Sequence, residues 1–142
     1  MNFRRATLED CGLLAELNHQ LLWDEDSRNK KMSLMELQER MRGWLVAEYA
    51  AVIFEEDEEV IAYAVYREQA GEIYLRQLFV ARNRRRQGIG RRAVEILRSQ
   101  IWPKNKRLTV DVLVHNTAAV AFWRATGYKD YCLMLEIMPP SV

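Results

Sequence analysis

Between Arg82 and Gly90 the chain reads Arg-Asn-Arg-Arg-Arg-Gln-Gly-Ile-Gly, directly after an apolar, strand-like stretch ending at Val80 and before the helical pattern Ala93, Val94, Ile96, Leu97. Gly88 and Gly90 carry no Cβ, so backbone N–H groups there can come close to a bulky anion. A helix starting at the same place adds unpaired N–H groups and the positive end of its dipole. Arg82, Arg84, Arg85, Arg86, Arg91 and Arg92 surround the turn with guanidinium groups suited to bidentate contact with phosphate oxygens. The chemistry expected of this turn is the binding of a phosphate-bearing ligand.

Two familiar phosphate motifs fit poorly. Gly88-x-Gly90-x-x-Ala93, with Asp111 roughly 20 residues further on, satisfies a dinucleotide fingerprint on paper. That turn needs its first glycine directly after an apolar strand, whereas Ala81 to Gln87, nearly all polar, separate Val80 from Gly88. Asp111 is followed by Val112-Leu113-Val114, which places it inside a strand instead of at its end. A nucleotide P-loop fails because no Gly-Lys-Ser/Thr follows.

Arg85-x-x-Gly88-x-Gly90 resembles the Arg/Gln-x-x-Gly-x-Gly/Ala signature of the GNAT superfamily of N-acyltransferases. A second block, Asn116-x-x-Ala119-x-x-Phe122-Trp123-x-x-x-Gly127-Tyr128, is similar to that family's late Asn-x-x-Ala-x-x-x-Tyr-x-x-x-Gly-Phe segment. The resemblance is close from about Leu75 to Tyr131 and weak before it. It implies an acetyl-CoA-dependent N-acetyltransferase, acting by direct transfer to a primary amine of a small molecule or peptide. The turn would hold the coenzyme's pyrophosphate through Arg85, Arg86, Gln87, Gly88, Ile89, Gly90 and Arg91. Leu78, Phe79 and Val80 would bind the pantetheine arm as a pseudo-strand through backbone groups. Asn116, Phe122 and Trp123 would complete the coenzyme site, with Asn116 also read as a helix N-cap. No metal is implied.

Transfer to an amine requires a neutral nucleophile, stabilisation of the oxyanion and a proton for the departing thiolate. Asp111, a lone carboxylate in an apolar strand, matches an acidic position that some members use as base, and burial would raise its pKa. Glu72 and Tyr74 are alternatives at the start of the strand leading to the cradle. His115 is read as a surface or capping residue beside Asn116. The family's tyrosine acid is replaced by Trp123, whose indole N–H cannot protonate a thiolate at useful rates. Tyr131 or Tyr128 would have to substitute, or water would. Loss of that acid raises the alternative of a non-catalytic acyl-CoA-binding module. Trp23-Asp24-Glu25-Asp26, an acidic loop beside an aromatic ring, would attract a cationic amine.

The elements that position these residues follow from the rest of the chain. At 142 residues, one domain over 1–142 is expected, long enough to bury about 68–70% of its unfolded surface. Apolar content of 49%, charged content of 29% and a net charge of +1 describe a globular protein whose basic turn is local, which argues against a general polyanion binder. Arg4 and Arg5 are followed by Thr7, Leu8, Glu9 and Asp10 instead of an apolar run, so a cytoplasmic location is expected. Acetyl-CoA and an amine acceptor are the expected partners, a homodimer is allowed, and neither nucleic acid nor a membrane is expected. Cys11 and Cys132 read as buried reduced thiols.

Asn2 to Arg5 forms a first strand, and capping boxes at Thr7/Asp10 and Ser33/Glu36 open helices through Leu13–Leu22 and Leu34–Gly43, the second rich in Met32, Met35 and Met41. Strands are expected at Glu48–Phe54, Val60–Arg67, Glu72–Val80, Arg107–Val114 and Tyr128–Ile137, with helices at Gly88–Gln100 and from Asn116 to about Thr126. The expected class is α/β (α+β): a GNAT-like mixed, mostly antiparallel sheet of six to seven strands with about four helices on its faces.

Overall fold

The computed structural model describes residues 1–141. Both capping boxes form. Asp10 Oδ2 accepts the Thr7 N–H at 2.7 Å, and after one 3-10 turn helix α1 runs Cys11–Asp24. Ser33 Oγ accepts the Glu36 N–H at 3.1 Å while Glu36 Oε1 accepts the Ser33 N–H at 3.0 Å, starting α2 at Leu34–Val46. Gly43 does not end α2 as expected, because it keeps ordinary helical backbone and supplies no left-handed cap.

The sheet has five strands among the described residues, β1 (Asn2–Arg5), β2 (Tyr49–Glu56), β3 (Glu59–Gln69), β4 (Glu72–Val80) and β5 (Arg107–Val110), in the order β1-β2-β3-β4-β5. Every neighbouring pair is antiparallel except β4 and β5. The β2–β3 hairpin turns on Asp57 and Glu58, both with positive φ (53° and 64°), as a two-residue turn matched to strand twist demands. Helix α3 (Ile89–Ile96) continues through a π-type turn, Leu97–Ile101, and crosses between the parallel strands; α4 spans Thr117–Ala125.

Six to seven strands were expected, and the difference lies at the C-terminal end. Tyr128 to Ile137 forms no ladder, and Tyr131, Leu135 and Ile137 are 84%, 82% and 99% exposed. Alternating apolar residues give the segment strand propensity, but a strand exists only with a partner edge, and β5 is only four residues long. Cys132 lies on this segment and is exposed, not buried as expected, whereas Cys11 is buried.

Alternation along the strands divides the core. Phe54, Ala62, Ala64, Tyr66, Ile73 and Leu75 face α3 and Trp102. Ile53, Tyr63, Val65 and Phe79 face Cys11, Leu14, Leu21 and Met41 of α1 and α2. Met35, by contrast, is 73% exposed. Among the described residues, no helix is long and apolar enough to cross a membrane.

Candidate active site

The parallel pair β4–β5 runs only from Glu72/Arg107 to Leu75/Val110. Past that point β4 carries a bulge, since Val65 opposes Gln77 and Tyr66 opposes Leu75, leaving Arg76 unmatched. The bulge turns two successive side chains to the α1–α2 side: Arg76 lies over Trp44 of α2 and Gln77 donates to Asn18 of α1. The two strands separate, and β5 stops at Val110 instead of Val114.

A cleft of about 880 Å³ occupies the opening, lined from Gly88, Ile89 and Gly90 at one end to Leu21, Glu25 and Arg40 at the other. Ala81 N–H reaches the Ile61 carbonyl on β3 at 2.8 Å. By strand alternation the backbone N–H and C=O groups of Leu78 and Val80 therefore point into the gap.

The basic turn forms the cleft's far end. Gly88 is the N-cap of α3 with φ +76° and ψ 11°, and Arg86, two residues earlier, also has positive φ (63°). Arg92 N–H bonds back to the Gly88 carbonyl at 3.1 Å, so the N–H groups of Ile89, Gly90 and Arg91 precede the helical ladder. A Cβ at Gly88 would meet nothing within 4 Å, whereas one at Gly90 would lie 3.3 Å from the Phe122 ring. Gly90 thus lets α3 pack on α4, while Gly88 borders open cleft.

Arg86 and Arg91 line the cleft without an ion pair among the described residues. Arg82, Arg84 and Arg85, by contrast, are tethered. Asp24, the last residue of α1, accepts from Arg82 Nη2 at 2.6 Å and Arg85 Nη2 at 2.5 Å. Arg85 Nε also donates to the Val80 carbonyl at 3.0 Å. Arg84 pairs with Glu56.

Most of the coenzyme residues expected from the sequence meet here: Leu78, Val80, Arg85, Arg86, Gly88, Ile89, Gly90, Arg91, Asn116, Phe122 and Trp123 all line the cleft. Phe79 does not, because alternation turns it to the opposite face, where it is buried and stacked on Tyr63. Gln87 points away and accepts from Arg84 Nε at 3.3 Å. Asn116 Oδ1 caps α4 by accepting the Ala119 N–H at 3.1 Å, so the N-cap role and a place in the cleft coincide. Trp123 packs edge-on against both Phe122 and Tyr128.

The expected catalytic groups divide differently. Asp111 lines the cleft where β4 and β5 part, yet it is exposed and outside the strand, not buried within it. Its Oδ2 accepts the Tyr74 hydroxyl at 2.8 Å. Burial, with that bond to the carboxylate, pushes the Tyr74 hydroxyl up to about 12.

Glu72 does not reach the cleft: it sits at the closed end of the β4–β5 pair, accepting from Thr109 Oγ1 at 2.9 Å and facing Arg107 at 3.4 Å. Tyr131 is likewise outside, on the unpaired C-terminal segment, with the Arg107 guanidinium 4.7 Å above its ring. Tyr128 lies behind Trp123 with its hydroxyl buried and unpartnered, and burial pushes its pKa up to about 12. His115 is in the turn before α4 and is not among the cleft residues.

The aspartates of the acidic loop are engaged in ion pairs within the chain. Asp26 pairs with Lys30 Nζ at 2.5 Å, and Asp24 with the two arginines. Burial raises the Asp24 carboxyl, but the bonds from Arg82 and Arg85 outweigh it and hold the group below its ordinary 3.8. A depressed native pKa contributes stability that is complete above the unfolded value and lost as pH falls through the native one. Asp24→Asn is expected to cost about 1 kcal/mol near neutral pH, as partly exposed ion pairs do. The same variant should lose less additional stability than wild type on acidification below pH about 4; urea titrations across that range measure both effects.

Glu25, unlike Asp24 and Asp26, has no ion pair among the described residues. It faces the cleft, and burial, reinforced by the charge of Asp24, raises its carboxyl above the ordinary value. Neither Glu25 as a proton acceptor nor the wall facing it, Arg40 and Arg76, was legible as a site, because three separate elements bring them together.

A carboxyl of raised pKa, a cradle of unpaired N–H groups and free guanidiniums, and a gap bordered by strand backbone that has no partner strand suit an amine, a pyrophosphate and an extended arm respectively. Comparison with known proteins agrees on the fold. A crystal structure of the aminoglycoside N-acetyltransferase AAC(6')-Iy in complex with CoA superposes with a TM-score of 0.76 at 16% identity, covering 99% of this chain and 95% of that one. A predicted acetyltransferase from Clostridium acetobutylicum, with acetyl-CoA, gives 0.74 at 19% identity over 96% and 95% of the two chains. A possible acetyltransferase from Clostridium difficile 630 gives 0.76 at 16% identity over 99% and 98%. Comparison with curated proteins finds no match. The family model for the acetyltransferase (GNAT) family matches residues 15–128, most of the chain and both motif blocks, and the chain belongs to that family.

Proposed function

We propose that the protein is an acetyl-CoA-dependent N-acetyltransferase that transfers the acetyl group directly to a primary amine bound beside Glu25. The observation that carries this reading is one continuous cleft joining the glycine cradle, the open β4–β5 gap and a carboxyl of raised pKa. Acetyl-CoA, when bound, supplies an activated acyl carbonyl and a thiolate leaving group.

The residues present fit that ligand. Open space at Gly88, the first N–H groups of α3 and the Arg86 and Arg91 guanidiniums suit a pyrophosphate. Leu78 and Val80 offer backbone groups to the arm. Glu25 takes the ammonium proton, which frees the nitrogen lone pair to attack. Its raised pKa brings it closer to the amine it must deprotonate. Asp111 positions Tyr74 where the strands part. As Trp123 cannot donate a proton, water protonates the departing thiolate.

A non-catalytic acyl-CoA-binding module is the second reading, favoured by Trp123 at the family's tyrosine position. Calorimetric titration with acetyl-CoA, NADH and a short RNA tests the ligand class. Saturable binding of acetyl-CoA alone is expected. RNA binding that coenzyme A fails to displace would overturn the reading.

A further inference from the structure

The acceptor end of the cleft is positively charged, the opposite of what the acidic loop alone suggests. Arg40 from α2 and Arg76 from the β4 bulge both line it. Each guanidinium carbon lies 4.5 Å from the Trp44 ring centroid. Arg76 Nη1 also donates to the Tyr49 hydroxyl at 3.2 Å, and Tyr49 packs on Trp44 with ring centroids 5.5 Å apart. The aromatic pair therefore holds two cations in fixed positions.

Neither arginine has a carboxylate within ion-pair distance among the described residues, and the Arg40 Nε is buried without a hydrogen-bond partner. Burial, and then the charge of Arg76, pushes the Arg40 guanidinium below its ordinary value. A partly buried guanidinium held beside a second cation with no carboxylate partner is costly to maintain, and an orphaned buried donor calls for a ligand or another explanation. Asp24 and Asp26 are committed to Arg82, Arg85 and Lys30. Glu25 lines the same cleft.

We propose that the acceptor is an amine that also bears an acidic group, a carboxylate or a phosphate, bound by Arg40 and Arg76 while its nitrogen faces Glu25. The proposal rests on the acetyltransferase reading and narrows it. Guanidinium forks suit both anions. A polycationic amine, the kind that an aminoglycoside represents, is repelled by the same pair.

The test is binding to the protein saturated with CoA, so it does not depend on turnover. The probes are glycylglycine against its C-terminal amide, O-phosphoethanolamine against ethanolamine, and spermidine as a polycation. At least one acid-bearing probe should bind about 10- to 100-fold tighter than its neutral counterpart, the effect of one or two charge-assisted hydrogen bonds. The two pairs distinguish carboxylate from phosphate recognition.

Arg76→Gln and Arg40→Gln should each reduce the preference, with affinity for CoA unchanged. Arg76 is exposed, so its variant should fold even if the other does not. Equal or weaker binding of both acid-bearing probes, or a preference that survives Arg76→Gln, would overturn the proposal. CoA titration comes first: failure there defeats the transferase reading as well, whereas CoA binding without acid preference defeats this inference alone.

Discussion

Gly88→Val should leave a folded protein that no longer binds acetyl-CoA. Gly88 holds φ at +76°, a region where a β-branched side chain is a severe outlier. The strain should lower stability by about 1–3 kcal/mol, a measurable but tolerable loss for a domain of this size. The effect on the ligand is larger. The position faces open cleft, so an isopropyl group would stand where the phosphate must approach the first N–H groups of α3. Losing two such charge-assisted bonds, each worth about 1.5–3 kcal/mol, should weaken binding roughly 100-fold or more. Calorimetry measures the affinity and a denaturant titration measures the fold. Wild-type affinity in a folded variant would mean that the coenzyme sits elsewhere.

Glu25→Gln should reduce turnover about 10²- to 10⁴-fold, the range removed with a general base, while acetyl-CoA affinity stays as it was. The pH dependence makes the test specific. A base works only when ionised, and the Glu25 carboxyl is raised above its ordinary 4.5 by burial and by Asp24. Wild-type kcat/KM should therefore fall as pH drops through a value above the ordinary 4.5 of a glutamate carboxyl. In the variant that limb should disappear, leaving a low rate that climbs only as the amine loses its own proton. Asp111→Asn should cost less, because Asp111 is assigned to holding Tyr74. Should Asp111→Asn show the larger loss and the altered pH limb, the two carboxylates exchange roles.

The parts of this site legible in the sequence are those encoded locally. A glycine at φ +76°, a glycine packed 3.3 Å from Phe122 and the arginines around them lie within one short turn, and spacing alone marks them as an anion cradle. Asn116 was equally readable, because a cap and its helix are neighbours in the chain. The acceptor wall was not. Glu25 caps the C-terminus of α1, Arg40 rides on α2, and Arg76 reaches the same side only because a bulge interrupts the alternation of β4. A bulge leaves little trace in composition.

The two strand errors share a cause. Val112, Leu113 and Val114, like the alternating residues from Tyr131 to Ile137, have the composition of strands. Composition does not reveal whether a segment joins a partner edge: the parting of β4 and β5 at Leu75 and Val110 withdraws it from Val112 to Val114, and the C-terminal segment pairs with no strand among the described residues. That separation also opens the cleft, so the departure from the expected strand creates the site. It moved Asp111 from a buried strand position to an exposed one at the fork.

The measurement that tests the account most directly is mass spectrometry of amines incubated with the protein and acetyl-CoA carrying an isotopically labelled acetyl group. The panel should pair acid-bearing amines with their neutral analogues and run beside Glu25→Gln. The account predicts that the label appears on the nitrogen of at least one amine, in step with thiol release, and that the variant forms far less of the same product. Tight coenzyme binding with no labelled amine would contradict catalysis and leave the binding module. Label on an amine at the same rate in Glu25→Gln would contradict the mechanism.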